Sequence, residues 1–397
     1  MTNTPQVLVS IDVGCYQHSV AVGLPSGELL EEFDIAHEPS GFDDLFKRID
    51  AQRLHYGAGV SVAMEGYNGH ARPLDTLIRL HDYRLFNINN LKLARFKEIF
   101  PGAAKSDRID ARKGLELFQL ARHLPMAKEV LQEVPATPAC NERLKRLSRR
   151  RRSLVQERAR VLNRLQSDLR AVCSTLLGIT GAADNLWFLH LLTHSDDLRK
   201  LARLHRKTLR QVRGVGRKYC AQIEHWQKAA HFSHEVDYVG PMIIDDAHRI
   251  LELSGGIKAL ENECEGLMAE SVVATQLRSI PGFGLTCVSE LSGEIGTVER
   301  FASEASLALY LGMAPLTHSS GKHNGTKAPK QINARAKSAM MTAVDRHRRC
   351  VPQSQRYYEK KRADGKRHNQ AIRALGRHMC RVLFKMLEQQ RPYELRV

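Results

Sequence analysis

An apolar run near the N-terminus ends in a single acidic side chain. Residues 7–14 read VLVSIDVG, which places Asp12 after a series of Val, Leu and Ile residues and just before Gly14. A run of this kind, bounded by glycine, predicts a β-strand buried on both faces. An ionised aspartate at the end of such a strand needs a partner or a metal, because burying an unpaired charge costs free energy. Asp12 is therefore the first candidate site residue.

Three further acids can join it. Residues 59–67, GVSVAMEGY, predict a second buried strand that ends in Glu65. Asp107 and Asp110 lie three positions apart at a predicted helix start, a spacing that stacks both side chains on one helical face. For each acid alone, a helix cap or a surface charge is the plainer interpretation. Together the four favour a site that holds two Mg²⁺ ions on oxygen ligands, with Mn²⁺ as an alternative.

The order of predicted elements in the first third indicates its fold. Predicted strands at 7–14, 18–25 and 27–37 form a meander, followed by helix 41–54, the Glu65 strand, helix 71–82, strand 84–89, helix 90–100 and the helix that carries Asp107. This order is typical of an α/β RNase H-like domain. We expect it to span residues 1–125, with the first and fourth strands side by side.

The charge balance favours a polyanionic partner. The chain has 60 Lys+Arg against 43 Asp+Glu, a net charge of +17 and a pI near 9.7. Nucleic acid is the default partner of such a protein, and a membrane surface is the alternative. No apolar run reaches transmembrane length, and the first residues, MTNTPQ, lack the charged region of a signal peptide. We therefore expect a cytoplasmic protein without a membrane partner.

A long basic helix is predicted from about residue 142 to 177. Its apolar positions repeat at helical spacing, and its other face carries Arg149, Arg150, Arg151 and Arg152 in succession. A solvated helix face is the usual fate of such a run; here the unbalanced charge predicts contact with DNA or RNA. A second predicted helix, about 242–275, can run back along the first as a hairpin or form a dimerisation coil. We expect residues 126–275 to form a helical coiled-coil region that mediates homo-oligomerisation, as a dimer or tetramer.

Two G-x-G turns resemble the turn of helix-hairpin-helix modules. In the stronger one, SIPGFGLTCVSELSGEIG (279–296), backbone N–H groups near Gly282 and Gly284 are predicted to hold a DNA phosphate. In QVRGVGRKY (211–219), phosphate binding and a plain tight turn remain open alternatives. The stronger turn opens a predicted, mostly α-helical C-terminal domain over residues 276–397.

A polar loop in this domain carries two adjacent serines. Helical periodicity stops at Gly312 and resumes near Asn333, and between them lie Ser319 and Ser320. A serine in such a loop is, by itself, an ordinary loop residue. If one of them is a nucleophile, the ammonium groups of Lys322 and Lys327 are expected to favour its alkoxide form and to contact nucleic acid.

Several motifs in one order resemble a known family. The family is that of the DEDD transposases of the one-ten group of bacterial insertion sequences, also called bridge-RNA-guided recombinases, and the resemblance covers most of the chain. The motifs are SIDVG, the E-G-Y at Glu65, K-S-D-R-I-D at 105–110, IPGFG, YLGMAP and HSSG. One segment differs, because many members read K-x-G-N where this chain has residues 330–333, KQIN.

The resemblance implies a function and a mechanism. It implies a resolvase-like domain whose catalytic acids match Asp12, Glu65, Asp107 and Asp110, and a C-terminal transposase domain whose nucleophilic serine matches Ser320. It further implies that the serine attacks the DNA backbone and forms a phosphoserine link, with metals and serine supplied by different domains, of different subunits. Donor and target double-stranded DNA would be chosen by base pairing with an element-encoded guide RNA.

Two other classes of protein remain open from the sequence. One is a hydrolytic resolvase-like endonuclease, in which a metal-bound water attacks and Ser320 is incidental. The other is a non-catalytic DNA- or RNA-binding protein that has kept the fold, which the intact set of acids argues against.

Overall fold

The computed structural model describes residues 5–65, 69, 72–99, 106–121, 130–321, 323–327, 329 and 332–395. Of the predicted site residues, Lys322 lies outside these ranges, as do residues 66, 67, 105, 330 and 331 of the motifs. The chain forms two compact units, Met1–Ala136 and Thr137–Val397.

The first unit is built on a six-stranded mixed sheet. In chain order its elements are β1 (Gln6–Val13), β2 (Gln17–Gly23), β3 (Leu29–Ala36), α1 (Pro39–Tyr56), β4 (Gly59–Glu65), α2 (Arg72–Leu80), β5 (Arg84–Ile88), α3 (Asn90–Lys97), α4 (Asp107–Leu120) and β6 (Leu131–Glu133). The strand order is β3-β2-β1-β4-β5-β6, and β1 pairs with β4 in parallel. The predicted meander and the pairing of the first and fourth strands are confirmed. The short β6 has no strand signal in the sequence, because two of its three residues are polar and exposed.

Side-chain alternation along β1 divides this unit into two cores. Val7, Val9 and Ile11 pack with α1 and α2 on one face, whereas Leu8 packs with α4 on the other. Since successive side chains of a strand point to opposite faces, Asp12 belongs to the α4 face.

The second unit is mostly helical. Its helices are α5 (Ala139–Leu177), α6 (Leu186–Leu192), α7 (Leu198–Leu201), α8 (Arg206–Leu209), α9 (Arg217–Gln227), α10 (Val236–Met268), α11 (Val272–Arg278), α12 (Leu285–Ile295), α13 (Glu304–Tyr310), α14 (Ala334–Cys350), α15 (Pro352–Ala363) and α16 (His368–Glu388). The two strands β7 (Leu316–Ser320) and β8 (His323–Lys327) form a hairpin between α13 and α14. No described helix is long and apolar enough to cross a membrane.

The two longest helices, α5 and α10, pack side by side in opposite directions. Ion pairs join Arg151 to Glu261 at 2.7 Å and Glu157 to Arg249 at 2.5 Å, so rising numbers on α5 meet falling numbers on α10. Their apolar faces share one core with α6, α7 and α9. The hairpin arrangement is thus present within one chain, and an intermolecular coil remains a prediction. The predicted helix over 242–275 is divided in two, since α10 ends at Met268 and α11 follows.

Candidate functional site

Two neighbouring strands end in acids at the same edge of the sheet. Ile11 on β1 pairs with Met64 on β4, and the next residues along the two parallel strands are Asp12 and Glu65. Both side chains are partly exposed, in contrast with the buried residues that precede them. The parallel register therefore brings the two acids predicted from separate strands to adjacent positions.

Close packing of α4 on β1 adds the other two acids. Gly114 lies against Ser10, so that a Cβ atom added at Gly114 would stand 2.3 Å from the Ser10 Oγ atom. Asp110 lies one helical turn before Gly114 on α4, and Asp12 lies two residues after Ser10 on the same face of β1. The contact between Gly114 and Ser10 therefore brings Asp110 toward Asp12. Asp107 is the first residue of α4, and the Ser106 hydroxyl caps the helix by accepting a hydrogen bond from the Ile109 N–H. Ser106 is thus the cap, and the Asp107 carboxylate does not make this capping bond.

The four carboxylates share one electrostatic environment. Burial, and after it the carboxylate of Asp110, raise the pKa of Asp12 from 3.8 to about 6. Asp107 and Glu65 raise this pKa further, while the Lys97 ammonium lowers it. Burial alone can raise the pKa of a carboxyl group, but the added contributions of Asp110, Asp107 and Glu65 place their charges within electrostatic range of Asp12.

Lys97 is a site residue that the sequence does not reveal. Its ammonium lies 2.9 Å from a carboxylate oxygen of Asp110, and both side chains are largely buried. Lys97 ends a short helix whose basic last turn looks ordinary in the sequence. Among the described residues, no three acidic, histidine or cysteine side chains form a ready metal-binding group. The carboxylates thus lie within electrostatic range of one another without being gathered as metal ligands, and the Lys97 ammonium offsets part of their charge.

Ser320 lies near the tip of a β-hairpin rather than in an irregular loop. Ser320 pairs with His323, and Gly321, which follows Ser320, has a φ of 55°, the left-handed conformation that favours glycine. Ser319 and Ser320 are both exposed. Because side chains alternate along a strand, Ser320 and His318 lie on one face of the hairpin and Ser319 lies on the other. The two serines are thus structurally distinct.

Lys327 does not lie beside Ser320. It pairs with Leu316 at the opposite end of the hairpin, four residues along the strand from the Ser320 pair, a separation of about 13 Å. Within this hairpin, the Lys327 ammonium is therefore too far from Ser320 to favour its alkoxide form, and that expectation is wrong. Its exposed side chain leaves the predicted nucleic-acid contact as a prediction.

A partly buried polar network fixes both ends of the segment that carries the hairpin. The Asn333 Nδ2 atom donates to the Tyr310 hydroxyl and to the Glu294 carboxylate, both at 2.7 Å, and the Asn333 N–H donates to the Tyr310 carbonyl at 3.0 Å. Arg149 donates to the same carboxylate at 2.7 and 2.9 Å. We call Arg149, Glu294, Tyr310 and Asn333 the hairpin clasp. Tyr310 ends α13 before the hairpin and Asn333 caps α14 after it, so the clasp closes the segment at its base.

Three of the four consecutive arginines have acidic partners within the chain. Arg149 pairs with Glu294, Arg151 with Glu261 and Arg152 with Glu290. Arg150 is exposed and forms no ion pair within 4 Å among the described residues, although its charge, after the larger effect of Arg249, contributes to lowering the pKa of Glu157. The counter-charges that are not apparent from the sequence come from α10 and α12. Nucleic-acid contact by this run remains a prediction, to which the structure adds a role in packing helices together.

Gly282 and Gly284 lie in the turn between α11 and α12. Gly282 has a φ of 87°, and a Cβ atom there would stand 2.5 Å from the backbone nitrogen of His347 on α14. His347 Nδ1 bonds the Pro281 carbonyl at 2.8 Å, which holds the turn against α14. Both glycines line a cavity of about 510 Å³, together with Lys258 and Arg346. Glycine at 282 is thus required by packing, and phosphate binding at this turn stays a prediction.

Comparison with known families places most of these residues in two matched regions. A family model described as "Transposase" matches residues 9–174, which include the four acids and the arginine run. A second model, described as "Transposase IS116/IS110/IS902 family", matches residues 274–359, which include Ser320 and the turn with Gly282.

Relatives of similar length support the same grouping. The chain is 25% identical to the insertion element IS110 uncharacterized 43.6 kDa protein of Streptomyces coelicolor, over 98% of this chain and 96% of the relative. It is 24% identical to the mini-circle putative transposase for IS117 of the same species, over 98% and 95% of the two chains. A pilin gene-inverting protein of Moraxella bovis is 29% identical over 31% of this chain and 39% of its own.

Proposed function

Because this chain belongs to the IS110/IS116 family of transposases, we propose that it excises and inserts a mobile element by Mg²⁺-dependent cleavage and rejoining of DNA strands through a phosphoserine link to Ser320. The observation that carries the proposal is that the carboxylates of Glu65, Asp107 and Asp110 lie within electrostatic range of Asp12. Together with burial, which has the largest effect, their charges raise the pKa of Asp12 to about 6.

The acidic site fits divalent cations by charge and by ligand type. Mg²⁺ prefers carboxylate oxygens, and a bound cation would relieve the mutual repulsion of the carboxylates that helps to raise the pKa of Asp12. Asp12, Glu65, Asp107 and Asp110 would hold the ions, two in the proposed site, with Mn²⁺ able to replace Mg²⁺. When bound, the metals neutralise the phosphate and stabilise the leaving oxygen. Lys97 keeps Asp110 in place through its ion pair.

The serine supplies the covalent step. The Ser320 Oγ atom forms a bond to a backbone phosphorus of DNA, and the DNA oxygen on the other side of that phosphorus leaves with the electron pair. The serine proton passes to water, and the leaving oxygen takes up a proton from water, so that cleavage frees one DNA hydroxyl. The phosphoserine bond keeps the energy of the broken phosphodiester, so a DNA hydroxyl can reverse the step and join a new strand. Exposure of Ser320 near the tip of a hairpin whose base is fixed suits attack on a bulky polymer.

The excess of basic residues fits a nucleic-acid complex larger than one DNA duplex. We propose that donor and target double-stranded DNA are selected by base pairing with an element-encoded guide RNA, and that the active species is a dimer or tetramer. Sequencing the RNA that copurifies with the protein tests the guide. A random mixture of host RNA would contradict it, without affecting the serine mechanism.

A denaturing adduct assay tests the chemistry. Wild-type protein is incubated with labelled element-end DNA, the copurified RNA and Mg²⁺, and then run on a denaturing gel. We expect a protein–DNA adduct that disappears with EDTA or with Glu65→Gln. Cleavage that leaves free ends and no adduct would instead identify a hydrolytic endonuclease in which water attacks, and the absence of both cleavage and joining would leave only a binding protein.

A further inference from the structure

The region between the two long helices carries a dense group of exposed cations. Between residues 198 and 223 the chain contains no Asp or Glu. Over residues 203–218, which we call the basic module, seven cationic side chains are all exposed: Arg203, Arg206, Lys207, Arg210, Arg213, Arg217 and Lys218. Arg206 has Glu224 at 3.5 Å, and the other six show no acidic partner among the residues that the structure covers.

The contrast with the arginine run is informative. Arg149, Arg151 and Arg152 stand in a more conspicuous run, yet each is neutralised by a glutamate of another helix. Within the described ranges, the basic module has no comparable counter-charge, and clustered like charges disfavour the compact state unless a polyanion neutralises them. Of these two groups, the basic module therefore leaves more unpaired positive charge open to a polyanion.

The backbone that carries these cations is firmly held. Leu209, Val212 and Val215 are buried in the same core as Trp187 and Trp226. Main-chain hydrogen bonds run through successive turns from α8 to residue 215, and α9 begins two residues later.

A close approach fixes the turn between α8 and α9. Gly214 has a φ of 85°, and a Cβ atom there would stand 3.0 Å from the Trp187 Cβ atom. Trp187 in turn stacks on Tyr219 with ring centroids 4.2 Å apart. The arginines at 210, 213 and 217 thus extend from a turn whose position is set by packing, and not from a free loop.

We infer that the basic module is a binding surface for the phosphate backbone of duplex DNA. Arg and Lys side chains bind phosphates, whereas recognition of single strands adds aromatic rings on which bases stack. Trp187 is buried, Tyr219 is stacked on it, and residues 203–218 contain no Phe, Tyr or Trp and a single imidazole, that of His205. The choice of DNA over RNA duplex rests on the proposed function, in which double-stranded DNA is the substrate. The module lies outside residues 9–174 and 274–359, which the family models match.

The salt dependence of binding tests this inference. Affinity of full-length protein for a short DNA duplex of arbitrary sequence is measured over a range of salt concentrations. For the variant with Arg210→Gln, Arg213→Gln and Arg217→Gln, we expect weaker binding and a log–log salt slope reduced by about 0.9 for each phosphate that the variant no longer neutralises. The matched control replaces the same three residues with lysine, which keeps the charges, and is expected to retain the wild-type slope.

The outcomes separate this inference from the proposed function. An unchanged slope in the glutamine variant overturns the inference, and so does an equally reduced slope in the lysine variant, because neutralising a phosphate needs the charge rather than the guanidinium. Weakened RNA binding with DNA binding unchanged overturns the assignment to DNA. These three positions are exposed and have no acidic partner in the described structure, so both variants should unfold at the wild-type temperature. Failure of the proposed function appears elsewhere, as a missing covalent adduct in wild-type protein that still binds DNA with the expected slope.

Discussion

Arg149 on α5 donates two parallel hydrogen bonds to the carboxylate of Glu294 on α12, although the two residues are 145 positions apart in the chain. Glu294 is only 1% exposed. Burial raises the pKa of Glu294, but hydrogen bonds from Arg149 and Asn333 outweigh burial and hold this pKa below its usual value. The pair joins α5 to the base of the β7–β8 hairpin, which carries Ser319 and Ser320.

Breaking this pair should destabilise the protein strongly. Arg149→Gln leaves a buried carboxylate without its guanidinium, which typically costs about 3–5 kcal/mol. The neighbouring Arg150→Gln is a matched control, because Arg150 is exposed and should change the free energy of unfolding by no more than about 0.5 kcal/mol. Urea unfolding curves of both variants measure the difference. Equal destabilisation at the two positions would show that the bidentate pair adds nothing to stability.

The acidic site predicts an unusual gain in stability on removing a charge. With a folded-state pKa of about 6 against an ordinary 3.8, Asp12 binds its proton more tightly in the folded than in the unfolded protein. Its contribution to stability is therefore complete below about pH 4 and is lost as the pH rises through 6. After allowance for solvent screening, Asp12→Asn should stabilise the metal-free protein by about 1–2 kcal/mol at pH 7.5 and by almost nothing at pH 4.

Thermal unfolding in EDTA across this pH range measures the effect of Asp12→Asn. Asp43→Asn, at an exposed position of α1, serves as the control and should show no such trend. Added Mg²⁺ should reverse the order at pH 7.5, because a ligand that binds only the folded wild-type site stabilises it by mass action. A variant that is less stable than wild type in EDTA at pH 7.5 would contradict the raised pKa.

The acids can be predicted from the sequence, and the reason is local. Asp12 and Glu65 end apolar strands, and strand register then determines that they meet at one sheet edge. The partners of the arginine run cannot be predicted in this way. Glu290 and Glu294 look like solvent-facing residues of a short helix, and only tertiary packing buries them opposite arginines more than 130 positions away. The ion pair of Lys97 with Asp110 cannot be predicted for the same reason, because only tertiary packing brings the two side chains together.

The β7–β8 hairpin is a second element that the sequence does not predict. Its polar, glycine-rich sequence lacks the apolar alternation that predicts strands, so the sequence predicts a loop between Gly312 and Asn333. The structure pairs Leu316–Ser320 with His323–Lys327. It also gives Asn333, the last residue of the divergent KQIN segment, a defined role, since its side chain both caps α14 and contributes to the clasp.

The clasp predicts that Asn333 affects recombination more than stability. Asn333→Ser keeps a side-chain oxygen that can cap α14 but removes the Nδ2 donor to Glu294 and Tyr310. We expect the free energy of unfolding to fall by about 1–2 kcal/mol. We also expect the rate of adduct formation to fall at least roughly tenfold, because a hairpin whose base is no longer fixed holds Ser320 less often in the position for attack. The control Ser303→Ala removes the cap of α13 at comparable cost in stability without touching the clasp. Parallel drops in rate in both variants would mean that the clasp acts only through stability.

The assignment of the proposed nucleophile to Ser320 can be tested because Ser319 and Ser320 lie on opposite faces of the hairpin. Ser319 and Ser320 are adjacent, exposed and chemically equal, but strand alternation directs them to opposite faces, so only one can meet a given phosphate. We expect Ser320→Ala to abolish both the covalent adduct and recombination, and Ser319→Ala to retain a substantial part of each. Neither exposed substitution should alter the free energy of unfolding by more than about 0.5 kcal/mol, so a missing adduct reports a defect in chemistry rather than in folding. The measurement is the denaturing gel with labelled DNA, followed by mass spectrometry of the peptide that carries the nucleotide. An adduct that survives in Ser320→Ala and vanishes in Ser319→Ala would move the nucleophile by one residue and turn the opposite face of the hairpin toward the DNA.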